Sequence, residues 1–170
     1  QDWLKAAMVL PDFDKSTHVV IIPNYKESFH KLRESVQSVA LQTFPAKRLY
    51  VVLAMEERQT EAKEKADQII KEYKDTFGAN FASYHPHIEG EVKGKSSNEA
   101  YAGKAAYQKL VTKRVIDLDF ATISSVDADS IFDKQYFAYL TYKFLNDPKR
   151  YHKFWQSANV HYNNFWSVPA

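Results

Sequence analysis

His18-Val19-Val20-Ile21-Ile22-Pro23-Asn24-Tyr25-Lys26-Glu27 is a short β-branched apolar run, stopped by a proline and followed by a polar turn. Such a run suits a strand buried on both faces. The next segment, 28–41, predicts a helix: Phe29, Leu32, Val36 and Val39 recur at the 3.6-residue spacing, and Ser28 is placed to cap it. Residues 49–54 read as a second buried strand, closed by the charged turn Glu56-Glu57-Arg58.

The alternation continues along the chain. A helix is expected over 60–77, with Gly78 as the left-handed residue that closes it, then a weaker strand over 80–85. Ser96-Ser97-Asn98-Glu99 has capping-box spacing and opens a helix toward Thr112. Residues 121–126 form a fourth strand, and Asp133 is placed to cap a helix reaching about Asn146. Residues 153–168 are aromatic and partly extended. Strands alternating with helices imply an α/β, Rossmann-like fold with a mostly parallel sheet, here one domain over 1–170 with 1–17 as an N-terminal extension. Four polar clusters each follow a strand: 24–27, 56–58, 93–98 and 127–129. They are expected to converge at the carboxyl edge of the sheet, where ligands of such sheets bind.

Composition narrows the function. The 170 residues are 45% hydrophobic and 15% aromatic, which excludes a disordered or low-complexity chain. Lys plus Arg is 23 against 21 for Asp plus Glu, a net charge of +2, so no nucleic-acid partner is expected. The absence of Cys excludes disulfides, thiolate metal sites and thiol nucleophiles. No apolar run is long enough to span a bilayer, and no signal peptide is visible at the N-terminus.

Asp127-x-Asp129 is the sharpest chemical signal. Alternate residues of an extended strand point the same way, and two carboxylates so placed repel unless a cation joins them. A hard ion such as Mg²⁺ or Mn²⁺ takes one or two carboxylates plus phosphate oxygens. Asp12-x-Asp14 and Asp117-x-Asp119 are internal controls for chance, since neither stands between an apolar strand and a helix. The competing reading of Asp127 and Asp129 is a helix cap. Gly90-Glu91-Val92-Lys93-Gly94-Lys95-Ser96 looks like a phosphate-binding P-loop, but only three residues separate its glycines where that pattern needs four. Lys95 near a helix start is still a good phosphate contact, against the plainer reading of a solvated lysine. Tyr25 can stack on a base and Glu27 can accept from a base or ribose; alone, these residues make an ordinary turn. His85-Pro86-His87 lacks a third ligand and reads as surface histidines. Phe154, Trp155, Tyr162, Phe165 and Trp166 read as core or interface rather than a sugar platform.

Taken in order, 19–27, 35–45, 94–98 and 126–129 resemble the family-2 glycosyltransferases, which have the GT-A fold. The resemblance spans roughly 19–147 and implies a nucleotide-sugar site. In it Pro23, Tyr25 and Glu27 hold base and ribose, Lys95 and Asn98 are basic and polar contacts, Asp127 lies near ribose or diphosphate, and Asp129 is the metal ligand. Glu56 or Glu57 stands where the family has an Asp that meets the base. The implied activity is metal-dependent transfer of a sugar from a nucleoside diphosphate, a UDP-sugar by this resemblance, to a carbohydrate or lipid-linked acceptor hydroxyl. No residue matches the family's catalytic base, which is expected beyond Ala170, with Gln156 as a possible start of the acceptor side. The resemblance therefore implies an N-terminal donor-binding portion, inactive alone, of a chain at the cytoplasmic face of a membrane. Two other readings stay open: a P-loop-like nucleotide hydrolase, and a non-catalytic nucleotide-binding or scaffold module.

Overall fold

The computed structural model describes residues 1–92 and 94–157. Their elements are α1 (Trp3–Met8), β1 (Thr17–Asn24), α2 (Phe29–Ala40), β2 (Leu49–Glu56), α3 (Ala62–Glu72), β3 (Ala79–His85), α4 (Lys95–Ala106), β4 (Ala121–Ser125) and α5 (Tyr136–Asn146). The four strands form one parallel sheet in the order β3-β2-β1-β4. The chain steps outward from β1 to β2 to β3 and then crosses back to place β4 on the other side of β1. That reversal opens a crevice between the carboxyl ends of β1 and β4.

Every residue of β1 and β2 is buried, as the continuous apolar runs require. Alternation along the strands divides the core in two. Val20, Ile22, Val51, Leu53 and Met55 pack with Leu32, Val36, Ala66, Ile69, Phe137 and Leu140 of α2, α3 and α5. Val19, Ile21, Tyr50, Val52 and Ala54 face the other way, onto Ala102 and Ala106 of α4 and onto Leu110. Leu110 lies in the π-helical turn Tyr107–Val111 that continues α4. Helix α1 returns to α5, where Trp3 meets Tyr139 and Tyr142 at ring-centroid distances of 4.6 and 5.3 Å. Among the described residues no helix is long and apolar enough to cross a membrane.

Several local expectations are corrected. Helix α3 stops at Glu72, and residues 73–78 turn back so that Gly78 N donates to Leu49 O at 2.9 Å. Gly78 is not left-handed; among the described residues Gly90 is the glycine in that region, at φ 81°. Gly78 is needed for space, because a Cβ there would lie 2.5 Å from Lys47 O and 2.8 Å from the Tyr50 ring. The capping box at Ser96–Glu99 does not form. α4 begins at Lys95 behind Gly94, Ser97 Oγ donates to Val92 O, and Glu99 is engaged elsewhere. Asp133 precedes the start of α5 by a turn, its Oδ1 accepting from Gln135 N at 2.8 Å. Trp155 packs edge-on against Phe144, whereas Phe154 is fully exposed. Tyr162, Phe165 and Trp166 lie outside the described residues.

His18 is a fully buried polar residue within β1. Its Nε2 lies 2.8 Å from Thr141 Oγ1 and its Nδ1 lies 2.6 Å from Thr122 Oγ1. Thr141 already gives its hydroxyl proton to Phe137 O. It therefore accepts from Nε2–H, and Nδ1 accepts from Thr122. Burial, with a smaller push from the Arg48 charge, drives the His18 pKa down to about 3.

Two stability predictions follow from this packing. Gly78→Ala should cost about 1–3 kcal/mol in urea unfolding, the range for a forced overpacking. Because the folded pKa of His18 lies below its unfolded value, its contribution is complete above pH 6.5 and is lost as pH falls toward 3. Stability should fall with a slope approaching about 1.4 kcal/mol per pH unit in that window. His18→Gln should remove that part of the slope in pH-dependent denaturation curves.

Candidate functional site

An open cleft of about 550 Å³ lies at the carboxyl edge of the sheet. It is lined by residues at or just beyond the carboxyl ends of β1, β2 and β4 and by the start of α4. All eight site residues expected from the sequence line it: Pro23, Tyr25, Glu27, Glu56, Lys95, Asn98, Asp127 and Asp129. Asn24, Arg58, Gly94 and Ala128 complete the wall.

The turn after β1 is built under strain. Lys26 adopts φ 75°, a left-handed conformation that is costly for a residue with a Cβ. Four hydrogen bonds hold it. Glu27 Oε2 accepts from Tyr25 N at 2.7 Å and from Asn24 Nδ2 at 3.2 Å, Lys26 N donates to Gln59 Oε1, and Lys65 Nζ donates to Glu27 O. Glu27 thus shapes the turn, with one carboxylate oxygen spent on the protein itself. The guanidinium of Arg58 covers the Tyr25 ring at 4.2 Å and its Nε sits 3.3 Å from Glu56 Oε2. Of the two acids where β2 ends, Glu56 is buried in the wall and Glu57 is exposed.

Glu56 also reaches His85 Nδ1 at 3.8 Å, and His85 Nε2 meets Glu91 at 3.1 Å. His85 is therefore buried at the end of β3, contrary to the expectation of a surface histidine. A smaller adjoining cavity of about 270 Å³ is bounded by Glu56, Arg58, His85 and Ile88.

On the opposite wall, Asn98 is buried and donates from Nδ2 to Ala54 O at 2.7 Å. That bond fixes its amide orientation and leaves Oδ1 without a protein partner; Asn24 Oδ1 is unpaired as well. Asn24 and Arg58 escaped the sequence reading as site residues, although each stood in one of the four polar clusters. Only the burial of Asn24 and the stacking of Arg58 single them out.

Asp127 and Asp129 are placed differently from the expectation. β4 ends at Ser125, and Ser130 N donates to Asp127 O at 3.0 Å, so the two acids sit on a turn rather than on extended strand. Their carboxylates are exposed on the rim while Ala128 is buried between them. Lys95 Nζ lies 2.5 Å from Asp127 Oδ1. Burial pulls the Lys95 pKa down, but the hydrogen bond and charge of Asp127, with Glu99, outweigh it and the net shift is upward. Asp119, from the control pair, lies before β4 at the far end of that strand. The glycine loop 90–96 follows β3, an edge strand.

The lining carries four acids (Glu27, Glu56, Asp127, Asp129) and two bases (Arg58, Lys95). An anionic ligand therefore needs a cation brought with it. Among the described residues no group of three or more His, Asp or Glu side chains is gathered to hold a metal. Two rim carboxylates with open sides suit an ion that keeps water or phosphate ligands, as Mg²⁺ and Mn²⁺ do.

No family model matches this chain, and no curated protein matches it. Among solved structures, the fold is similar to that of the mannosyltransferase PcManGT from Pyrobaculum calidifontis, determined in complex with GDP-Man and Mn²⁺. The TM-score is 0.55 at 19% identity, over 86% of this chain and 39% of that one. The chain thus spans about two fifths of that protein's length. At that identity the likeness is one of fold.

The turn after β1 makes its own prediction. Glu27→Ala strips Tyr25 N and Asn24 of their acceptor and should cost about 1–3 kcal/mol in chemical denaturation, as for unmade hydrogen bonds. Glu27→Gln, which keeps a carbonyl acceptor for Tyr25 N, should lose less than half of that.

Proposed function

We propose that this cleft is the donor site of a metal-dependent glycosyltransferase and binds a nucleoside diphosphate sugar. The observation that supports this best is the convergence of Pro23, Tyr25, Glu27, Glu56, Lys95, Asn98, Asp127 and Asp129 in one cleft beside the β1–β4 crevice. The likeness to a glycosyltransferase fold supports the same reading.

In this reading Tyr25, with Arg58 and Lys26 over its ring, stacks on the base. Glu56 accepts from the base edge, and the unpaired Oδ1 atoms of Asn24 and Asn98 accept from ribose or base donors. Lys95 and the uncapped amides at the start of α4 face the diphosphate, since a helix N-terminus favours anions. Asp129, with Asp127, would hold Mg²⁺ or Mn²⁺. The ion supplies charge neutralisation for the leaving diphosphate. The resemblance to family-2 enzymes makes a UDP-sugar the donor and a carbohydrate or lipid-linked hydroxyl the acceptor. No residue of this chain is assigned as the base that deprotonates it. A P-loop hydrolase is disfavoured by the short glycine spacing and by the edge position of its loop.

Melting curves test the reading. Mn²⁺ and UDP together should raise Tm by more than the sum of their separate shifts, with GDP as the comparison for base preference. Asp129→Asn should abolish the excess and Asp119→Asn should keep it. Strictly additive shifts, or equal loss from both variants, would remove the shared site.

A further inference from the structure

Lys95 occupies the first position of α4, behind a glycine cap that offers no side chain. A cation there opposes the helix dipole, whose positive end is the N-terminus. A lysine four residues ahead of a glutamate is also the weaker order of that pair on a helix. The first turn of α4 holds no acid to compensate. The ammonium is held instead by two carboxylates: Asp127 Oδ1 at 2.5 Å and Glu99 Oε1 at 3.5 Å. Glu99 is locked in turn by Ser125, whose Oγ donates to Oε1 at 2.6 Å from the last residue of β4. Helix stability does not account for this lysine, and its position does.

We infer that Lys95 is the resident counter-cation of the Asp127–Asp129 pair, and that Glu99 is the second seat which receives it when a divalent ion and a diphosphate bind together. The inference rests on the donor-site reading above. Asp127 cannot serve a divalent ion fully while the ammonium holds its Oδ1, so the free protein binds the ion against a built-in competitor. Once displaced, the ammonium stays within reach of the cleft because Glu99 lies on its own helix, one turn on. It is then available to the diphosphate. Each ligand thereby removes an obstacle to the other. Glu99 touches Lys95 rather than the ligand and is a positioning residue.

The experiment measures free Mn²⁺ by electron paramagnetic resonance in 0.5 M KCl, where fields from unpaired charges are screened beyond a few ångströms. Wild type, Lys95→Met and Glu99→Gln are titrated with Mn²⁺ alone and with saturating UDP, after circular dichroism has confirmed folding. Lys95→Met should bind Mn²⁺ alone about tenfold more tightly than wild type, the equivalent of one charge-assisted hydrogen bond released. It should bind UDP alone more weakly. A second readout follows acetylation of Lys95 by mass spectrometry. Mn²⁺ alone should speed it, and more so in Glu99→Gln, where the second seat is gone. If wild type binds Mn²⁺ with UDP but Lys95→Met gains no affinity for Mn²⁺ alone, the lysine inference is overturned and the donor-site reading stands. If no variant binds Mn²⁺ even with UDP, the metal site falls and this inference falls with it.

Discussion

One buried amide sets the geometry of the whole cleft. Asn98 Nδ2 donates to Ala54 O, tying the first turn of α4 to the middle of the sheet. Ala54 lies opposite Pro23 in the β1–β2 register, one residue before β1 ends, so the tie is made beside the turn that follows β1. Without the tie α4 would meet the sheet through little more than alanine methyls. With it, Lys95 is delivered to the rim beside Asp127, and the polar ends of β1, β2 and β4 share one space.

The sequence revealed what depends on long-range periodicity. Unbroken apolar runs at 18–22 and 49–54 read as strands buried on both faces, and β1 and β2 are buried at every residue. From that alternation the convergence of the polar clusters follows by topology, without any knowledge of side-chain contacts. What stayed hidden depends on contacts between distant segments. Gly78 looked like a helix closer, yet its role is set by the Tyr50 ring and Lys47 O, which no local pattern displays. His85 looked exposed beside a proline, yet it is buried between Glu56 at the end of β2 and Glu91 in the loop after β3. The Asp127-x-Asp129 spacing suggested extended chain, yet the backbone turns two residues after β4 ends.

Local rules are broken where the cleft is made. Lys26 is left-handed without being glycine, Lys95 sits at the wrong end of a dipole, and Asn24 and Asn98 bury carbonyl oxygens with no partner. Each exception costs free energy in the empty protein, and all of them surround the same space. Exceptions of the same kind also occur away from the cleft, in left-handed Asp12 and Arg114 and in the unpaired buried hydroxyls of Thr17, Ser35 and Ser83, whereas α2 is capped by Ser28 and His18 is fully hydrogen-bonded despite its burial.

The two faces of the sheet are unequal, and the thin one acts as a mechanical gauge. Three helices cover one face, whereas α4 meets the other through Ala102 and Ala106, both buried. Spacing between that helix and the sheet is therefore ruled by the smallest side chains in the core. A single added methyl at Ala102 would tilt α4 like a lever about the Asn98 tie and displace its first residue. The width of the opening at the rim is in this sense recorded two turns away, in the volume of an alanine that touches nothing in it.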